Sequence, residues 1–488
     1  AAGNTKTHMP ATKVLASLGL LAATTNALDN GQGLTPQMGY SSWNDCASAV
    51  TEEHIKATAS YMISSGLAAK GFTFVNVDEG WFIGRDAKTL DMIADPKFFP
   101  SGMAALGAWV HNLTVPGKGK VMRYGLYTSR GEQQCDTPEY RERCMHTPPN
   151  PTAPNPTSGW TCEGSHGYEK RDAAWLVKAG ADYVKVDSCG GDQTHSVAFS
   201  DYAKWRDAFN ASAIAAGRQE SVFFSVCGWK QWYGPPDAAA TSAQLPAGFG
   251  GGPSLGNSYR IHDDGGSWAA LSGCTNTIAA IGQWSQPGGW ADPDLLIGPS
   301  DAKNGQSDAQ ARTQLNLWSV FPAPLLISQN VLNWSRFALE TYSNIEVLAI
   351  NQDPVQPGAK GGSGYKVGKR LAGSDLALPC NASSSPQSCF NVWGRPLSDG
   401  KSFALAFVNN QGTNATASTV ECTHECFVNL LSGAHPAANY IIRDLWLHEQ
   451  VGTISCSTNP GHCDGWSASV PGGGGSRMFK VTAVAGQA

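Results

Sequence analysis

Short apolar runs alternate with amphipathic stretches from residue 34 to residue 350 of the 488-residue chain, and this alternation limits the fold more than any other feature. The runs at 72–77, 121–127, 181–186, 221–226 and 324–327 are rich in apolar, β-branched and aromatic residues, as strands covered on both faces are. Helical patterns lie between them. Thr51 is placed to cap a helix whose first turn carries Glu52 and Glu53, near the positive end of the dipole. Ile55, Ala59, Met62 and Ile63 then share one face, and Gly66 ends the helix. Residues 172–179, 199–216, 267–281 and 308–319 repeat the pattern. Alternating strands and helices predict an α/β fold with a parallel sheet. The length suits a (β/α)8 TIM barrel, about 250 residues in its plain form, enlarged by loops. The barrel is expected over residues 28–357. The Pro-rich piece at 147–158 reads as an inserted loop that can be neither helical nor paired.

After residue 357 the pattern changes. Short β-like runs at 403–408, 425–429, 440–446 and 478–481 are separated by clusters of Gly, Ser and Asn, which predicts a C-terminal antiparallel β-sandwich over 358–488. The boundary falls in the Gly-rich stretch 358–364. The Gly run at 472–475 precedes another strand-like segment and reads as a loop inside the domain.

Residues 9–27 have a short basic start at Lys13, an apolar stretch and small residues before a cleavage point, the layout of a secretory signal peptide. Residues 1–8 are read as an upstream segment. No other stretch is apolar for long enough to span a membrane. A secreted, extracellular or lumenal protein is therefore expected. Sequons at Asn112, Asn210, Asn333, Asn381 and Asn414 are candidate N-glycan sites. The 13 Cys are scattered, with no CxxC pair and no Cys/His ligand spacing. That suits disulfides in an oxidising compartment rather than zinc, and the odd count leaves at least one thiol over. No metal and no cofactor are expected. With 34 Lys and Arg against 39 Asp and Glu, the net charge is −5, which argues against nucleic acid as a partner.

In a parallel barrel all strand ends open onto one face, where active sites lie. Asp78, Glu79 and Trp81 follow one run, and Tyr127 ends the next. Lys185, Asp187 and Cys189 follow the third, Cys227 and Trp229 the fourth, and Arg260, Asp263 and Asp264 lie further on. Carboxylates with Trp and Tyr, and no ordered His/Cys cluster, suit sugar chemistry. Aromatic rings stack on a pyranose, and a pair of carboxylic acids can cleave a glycosidic bond. There is no phosphate-loop spacing, no Gly-x-Ser-x-Gly elbow between strand and helix, and no HExxH.

Longer motifs carry a resemblance. Leu34-Thr35-Pro36-Gln37-Met38-Gly39-Tyr40-Ser41-Ser42-Trp43-Asn44, Tyr183-Val184-Lys185-Val186-Asp187-Ser188-Cys189, Pro287-Gly288-Gly289-Trp290-Ala291-Asp292-Pro293-Asp294 and Ala349-Ile350-Asn351-Gln352-Asp353-Pro354 stand in order along the chain. They resemble family 27 glycoside hydrolases, typified by α-galactosidase (melibiase) and α-N-acetylgalactosaminidase. The resemblance extends to Arg443-Asp444-Leu445-Trp446 in the tail. It implies retaining removal of terminal α-D-galactosyl residues from a carbohydrate substrate, with the two carboxyls about 5–5.5 Å apart. Asp187 matches the nucleophile. Counting four residues on from Arg260 gives Asp264 as acid/base, and counting back from Trp268 gives Asp263. The Arg260 spacing carries more weight, because Arg260 and the acid both touch the sugar. A general acid needs a raised pKa, so an acidic optimum is expected. Trp43 matches the stacking aromatic, Asp78 and Glu79 the pair that grips the O4/O6 side, and Tyr127, Lys185 and Trp229 other wall residues. Cys135 and Cys189 match a disulfide beside the nucleophile.

Three departures bear on specificity and on the odd thiol. The family's Asp-Asp pair is Asp78-Glu79 here, a β-L-arabinopyranosidase pattern. The longer Glu79 can intrude where the hydroxymethyl of galactose lies, and L-arabinopyranose lacks that group. Gly228 stands where a Glu is frequent, which leaves room near the sugar's 2-position and points toward α-N-acetylgalactosaminidase. Cys46 faces Gly80 where the family has a partner Cys, so Cys46 is a candidate free thiol or half of a rewired bridge. A sugar-binding protein without catalysis is the reading from another class.

Overall fold

The structure is a computed structural model that describes residues 27–135, 138–145, 162–234, 251–299, 306–355, 366–373, 375–376, 380, 389–412, 416–431, 439–456 and 462–484. The expected signal peptide up to residue 26, the inserted loop at 147–158, the Gly-rich stretch 358–364, and Asn381 and Asn414 lie outside them.

Eight strands form the first sheet: β1 (Met38–Ser41), β2 (Phe74–Asn76), β3 (Arg123–Ser129), β4 (Tyr183–Asp187), β5 (Phe223–Val226), β6 (Ser258–Arg260), β7 (Trp290–Asp292) and β8 (Leu325–Ile327). They stand in the order β8-β1-β2-β3-β4-β5-β6-β7, and every ladder is parallel. A parallel bridge between Leu296, just past β7, and Ile327 of β8 closes the ring. The Leu296 N–H donates to Leu326 O at 2.8 Å, and the Ser328 N–H to Leu296 O at 2.8 Å. Helices follow most strands. The Thr51 hydroxyl accepts from the His54 N–H and starts Glu52–Ser64. Ser267 caps Trp268–Ile281 in the same way, and Ser307 and Gln310 form a capping box at Asp308–Val320. The strands β2, β3, β4, β5 and β8 start one or two residues inside their apolar runs, because chain entering a barrel strand is buried before its ladder begins.

Side-chain alternation builds the barrel interior. Phe74, Tyr183, Phe223 and Leu326 point inward and form one buried layer with Leu295. The Phe74, Tyr183 and Phe223 rings lie 5.8–6.3 Å apart. Phe74, Tyr183 and Phe223 are the first residues of their strands, so this layer lies toward the N-terminal end of the ring.

The second unit is a six-stranded antiparallel sheet. Its strands, in spatial order, are Lys369–Ala372, Phe390–Pro396, Ser402–Asn409, Gly475–Val484, Asn439–Asp444 and Glu449–Ser455. A two-stranded layer of Ser418–Cys422 and Trp466–Val470 accompanies it. The strand Ser402–Asn409 is buried along its length, and its alternation shows why. Ala404, Ala406 and Val408 join the barrel's core, whereas Phe403, Leu405 and Phe407 join the sandwich's own. Polar contacts seal the junction: the Thr313 hydroxyl meets Gly474 O at 2.7 Å, and Arg395 Nη2 donates to Ile350 O at 2.6 Å.

The β-like run expected at 425–429 is instead part of a helix, His424–Leu431. Cys426, Phe427 and Leu430 recur at helical spacing and bury against the sheet. Five residues are too few for period 2 and period 3.6 to be told apart.

Five disulfides join Cys135–Cys189, Cys144–Cys162, Cys380–Cys389, Cys422–Cys426 and Cys456–Cys463. Cys46 is free, and so are the buried Cys227 and Cys274. At Gly80 a Cβ would lie 2.4 Å from Ser48 O, so no side chain fits opposite Cys46. No helix among the described residues is long and apolar enough to cross a membrane.

Candidate active site

On β4 the residues Tyr183, Lys185 and Asp187 alternate onto the inner face. Tyr183 belongs to the buried layer at the strand starts, and Lys185 and Asp187, further along the strand, reach a cavity of about 430 Å³. Trp43, Asp78, Glu79, Tyr127, Trp229, Arg260 and Asp264 also line it, from the ends of β1, β2, β3, β5 and β6. The Cys135–Cys189 bridge forms one wall beside Asp187.

Asp187 is 5% exposed. It accepts the Tyr127 hydroxyl at 3.1 Å and the Ser188 N–H at 2.7 Å. Burial pushes its pKa up, opposed by Lys185 and by the Ser188 bond. Lys185 Nζ lies 3.0 Å from Asp78 Oδ2, which also accepts from the Ser41 hydroxyl at 3.0 Å. Burial works against the Lys185 charge, but Asp78, Cys227 and Asp187 hold its pKa well above the ordinary value. Burial likewise raises Tyr127, with Asp187, Glu79 and Asp78 adding to the effect. The ring therefore carries a continuous chain from Ser41 through Asp78 to Lys185, and its carboxylates are fixed in place.

On β6 the guanidinium of Arg260 reaches Asp264 Oδ1 at 2.8 Å and Asp294 Oδ1 at 3.0 Å. Asp294 in turn accepts the Gly265 N–H at 2.6 Å, directly after Asp264. Its own backbone has φ 91, a conformation strained for a residue with a Cβ. One Asp thus ties the arginine and the loop of Asp264 together. Asp263 points elsewhere: its side chain is 75% exposed, with Lys230 at 3.7 Å, and it does not line the cavity. Asp264 does.

Several sequence expectations need correction. The sequence predicts a raised pKa for Asp264 as general acid. Burial does push it up, but Arg260 outweighs this and holds it below the ordinary value. Gly228 does not line the cavity, and it opens no room. A Cβ there would lie 1.9 Å from the ring of Tyr233. Tyr233 folds back five residues later, is fully buried and stacks on Phe199. The space credited to a small residue is therefore occupied, and the α-N-acetylgalactosaminidase reading loses its support. Gly228→Ala is expected to destabilise the fold by about 1–3 kcal/mol through overpacking. Denaturant melts check this, and an unchanged midpoint would contradict the packing. Trp81 also sits behind the site: it is fully buried, stacks on Trp175 at 5.4 Å and donates its N–H to Tyr127 O at 3.0 Å. It braces the wall and does not face a sugar.

Asn44, Gly266, Asp294 and Leu295 line the cavity without having been singled out. Asp294 stands past the end of β7, so the strand-end rule that found Asp187 would have found it too.

The family model for alpha galactosidase A matches residues 35–140 and 156–353, and that for the alpha galactosidase C-terminal beta sandwich domain matches 387–476. A probable alpha-galactosidase of Dictyostelium discoideum is 30% identical over 91% of this chain and 93% of its own length. The crystal structure of alpha-galactosidase I from Mortierella vinacea has a TM-score of 0.68 at 22% identity, covering 94% of this chain and all of the other. A family 27 β-L-arabinopyranosidase from Geobacillus stearothermophilus has a TM-score of 0.65 at 19% identity, over 93% of this chain and 98% of its own. Matched across both its units, the chain belongs to the α-galactosidase, or melibiase, family of glycoside hydrolases.

Proposed function

We propose that the protein is a retaining exo-glycosidase that removes terminal α-D-galactosyl residues from oligosaccharides, polysaccharides or glycoconjugates. Residues 28–357 form the catalytic unit and 358–488 the sandwich. The observation that supports this most is that Asp187 and Asp264 face one small cavity, walled by Trp43, Tyr127 and Trp229. A pocket of about 430 Å³ admits the end of a sugar chain and not its middle.

In this reading Asp187 attacks the anomeric carbon and forms a glycosyl ester. The bond to the departing oxygen breaks, and Asp264 gives that oxygen its proton. Asp264 then takes a proton from water, the water oxygen attacks the same carbon, and Asp187 leaves as carboxylate. Tyr127 and the Ser188 N–H hold Asp187 in line. Asp78, Glu79 and Lys185 accept and donate hydrogen bonds on the far side of the ring, and Arg260 steadies Asp264.

The productive form needs Asp187 ionised and Asp264 protonated. Burial raises the first and Arg260 lowers the second. That form is therefore the minor one of the singly protonated pair, and the limits of the pH profile belong to the pair. The lower limb of kcat/KM then follows Asp264. Arg260→Gln removes the positive charge that holds Asp264 down, so this limb is expected to move to higher pH. An unmoved lower limb would contradict the order of the two groups.

Glu79 favours a second reading, β-L-arabinopyranosidase activity, alone or beside galactosidase activity. Release of nitrophenol from α-D-galactoside, β-L-arabinopyranoside and α-N-acetylgalactosaminide substrates tests both. Turnover of the galactoside above the other two is expected. Binding of galactose with no turnover on any of them would favour a sugar-binding protein without catalysis. Five disulfides suit an oxidising compartment. They support secretion or lumenal residence, with N-glycans at the exposed Asn112 and Asn333.

A further inference from the structure

On the reverse side of the turn that carries Trp43, three unlike ligand atoms converge. Asp45 and Cys46 end the one-turn helix Trp43–Cys46, and His54 lies in the first turn of Glu52–Ser64. The Asp45 carboxylate, the Cys46 sulfur and a His54 ring nitrogen all lie within 4.8 Å of one another. The Tyr40 hydroxyl stands 2.7 Å from Asp45 Oδ2 and 3.3 Å from His54 Nε2, and Thr58 Oγ1 is 3.4 Å from the same nitrogen. Asp45 Oδ2 itself is 2.7 Å from it.

The Tyr40 hydroxyl donates to Asp45 Oδ2, and the His54 ring nitrogen shares one hydrogen with the same oxygen. The Cys46 sulfur stands beside this pair, within 4.8 Å of both groups. Cys46 has no disulfide partner, and nothing can fit at Gly80 to give it one. A metal cation can take the place of the proton shared by His54 and Asp45, with the Cys46 sulfur as a third donor.

We propose that Asp45, Cys46 and His54 bind one divalent cation of the zinc class. The mixed sulfur, nitrogen and oxygen set suits a borderline-soft ion and is wrong for Mg²⁺ or Ca²⁺, which take oxygen alone. Around a tetrahedral ion with bonds of about 2.0–2.3 Å the donors stand about 3.4–3.6 Å apart. The Asp45–His54 pair has only to open by less than an ångström, and the sulfur to close in. Water or the Tyr40 hydroxyl completes the fourth position. The Asp45 side chain is 3% exposed and the His54 side chain 19%, so the site is sheltered yet reachable from one edge. The ion would pin the turn bearing Trp43 and Asn44, on the cavity side, to the helix behind it. Sequence spacing hides this site, because seven residues separate Cys46 from His54 and the fold alone brings them together.

The test uses the folded chain with its disulfides intact. Co²⁺ is titrated in, and the thiolate-to-cobalt charge-transfer band is followed in the near ultraviolet. Alkylation of Cys46 by iodoacetamide is read by peptide mass in parallel. Cys227 and Cys274, at 1% and 0% exposure, serve as unreactive controls. One Co²⁺ per chain is expected, with the band lost in Cys46→Ser and weakened in His54→Asn, which keeps the thiol. Zn²⁺ at ten times its Kd is expected to slow Cys46 alkylation by about tenfold. The proposal is overturned if reduced, alkylatable Cys46 gives no band. A band that survives Cys46→Ser, or alkylation that Zn²⁺ leaves unchanged, overturns it equally.

Discussion

Asp187→Asn is expected to lower kcat on an aryl α-D-galactoside by at least about four orders of magnitude, because an amide cannot form the glycosyl ester that the proposed mechanism places on Asp187. Stability should not follow activity down. The Asn carbonyl oxygen can still accept the Ser188 N–H, now 2.7 Å from Oδ1. The amide nitrogen faces the Tyr127 hydroxyl, which can turn and accept. The variant also removes a carboxylate from a site where burial already penalises its charge. Unfolding free energy is therefore expected to stay level or rise. A variant that loses activity and stability together would indicate a structural role only. A variant that keeps a tenth of the wild-type rate would remove Asp187 from the chemistry.

Glu79→Asp is expected to raise the galactoside-to-arabinopyranoside ratio of kcat/KM by about 10–200-fold, the range that one methylene commands in a shaped pocket. The geometry isolates this residue. Its neighbour Asp78 is held by Ser41 and Lys185 and cannot shift to compensate. The Glu79 N–H donates to Asp78 Oδ1 at 2.9 Å, which fixes the backbone of the pair. Glu79 is 1% exposed and lines the cavity, so its extra length is directed into protein or into the sugar's space, not into solvent. Shortening it by one methylene draws the carboxylate back from the place of the C6 hydroxymethyl. An unchanged ratio would show that the Glu79 carboxylate lies away from that position.

The barrel was legible because its strands are continuous apolar runs and its helices have caps. Both signals are local, and both survive loop insertions. Strand ends then delivered Asp78, Glu79, Tyr127, Lys185, Asp187, Arg260 and Asp264 to one cavity. What failed was long-range or too short to pattern. The helix at 424–431 failed because its apolar residues sit in a window that fits either period. The role of Gly228 failed because Tyr233, which fills its space, is placed by a fold-back that no spacing encodes. Trp81 follows a strand, like the true wall residues, yet Trp175 holds its ring behind the site. The pKa of Asp264 could not be read from its role, since Arg260, four residues earlier, sets it from across the loop. Cys46 was singled out as a candidate free thiol, but its closeness to Asp45 and His54 follows from how the turn packs on the helix.

The central claim is that catalysis passes through a sugar bonded to Asp187. The direct measurement is mass spectrometry of protein treated with a 2-deoxy-2-fluoro galactosyl donor that has a good leaving group, in which fluorine slows release of the intermediate more than its formation. One fluorosugar per chain is expected, located after proteolysis on the peptide carrying Asp187, and absent from Asp187→Asn. A sugar found on another carboxylate, or hydrolysis that proceeds with inversion and no adduct, would contradict the account.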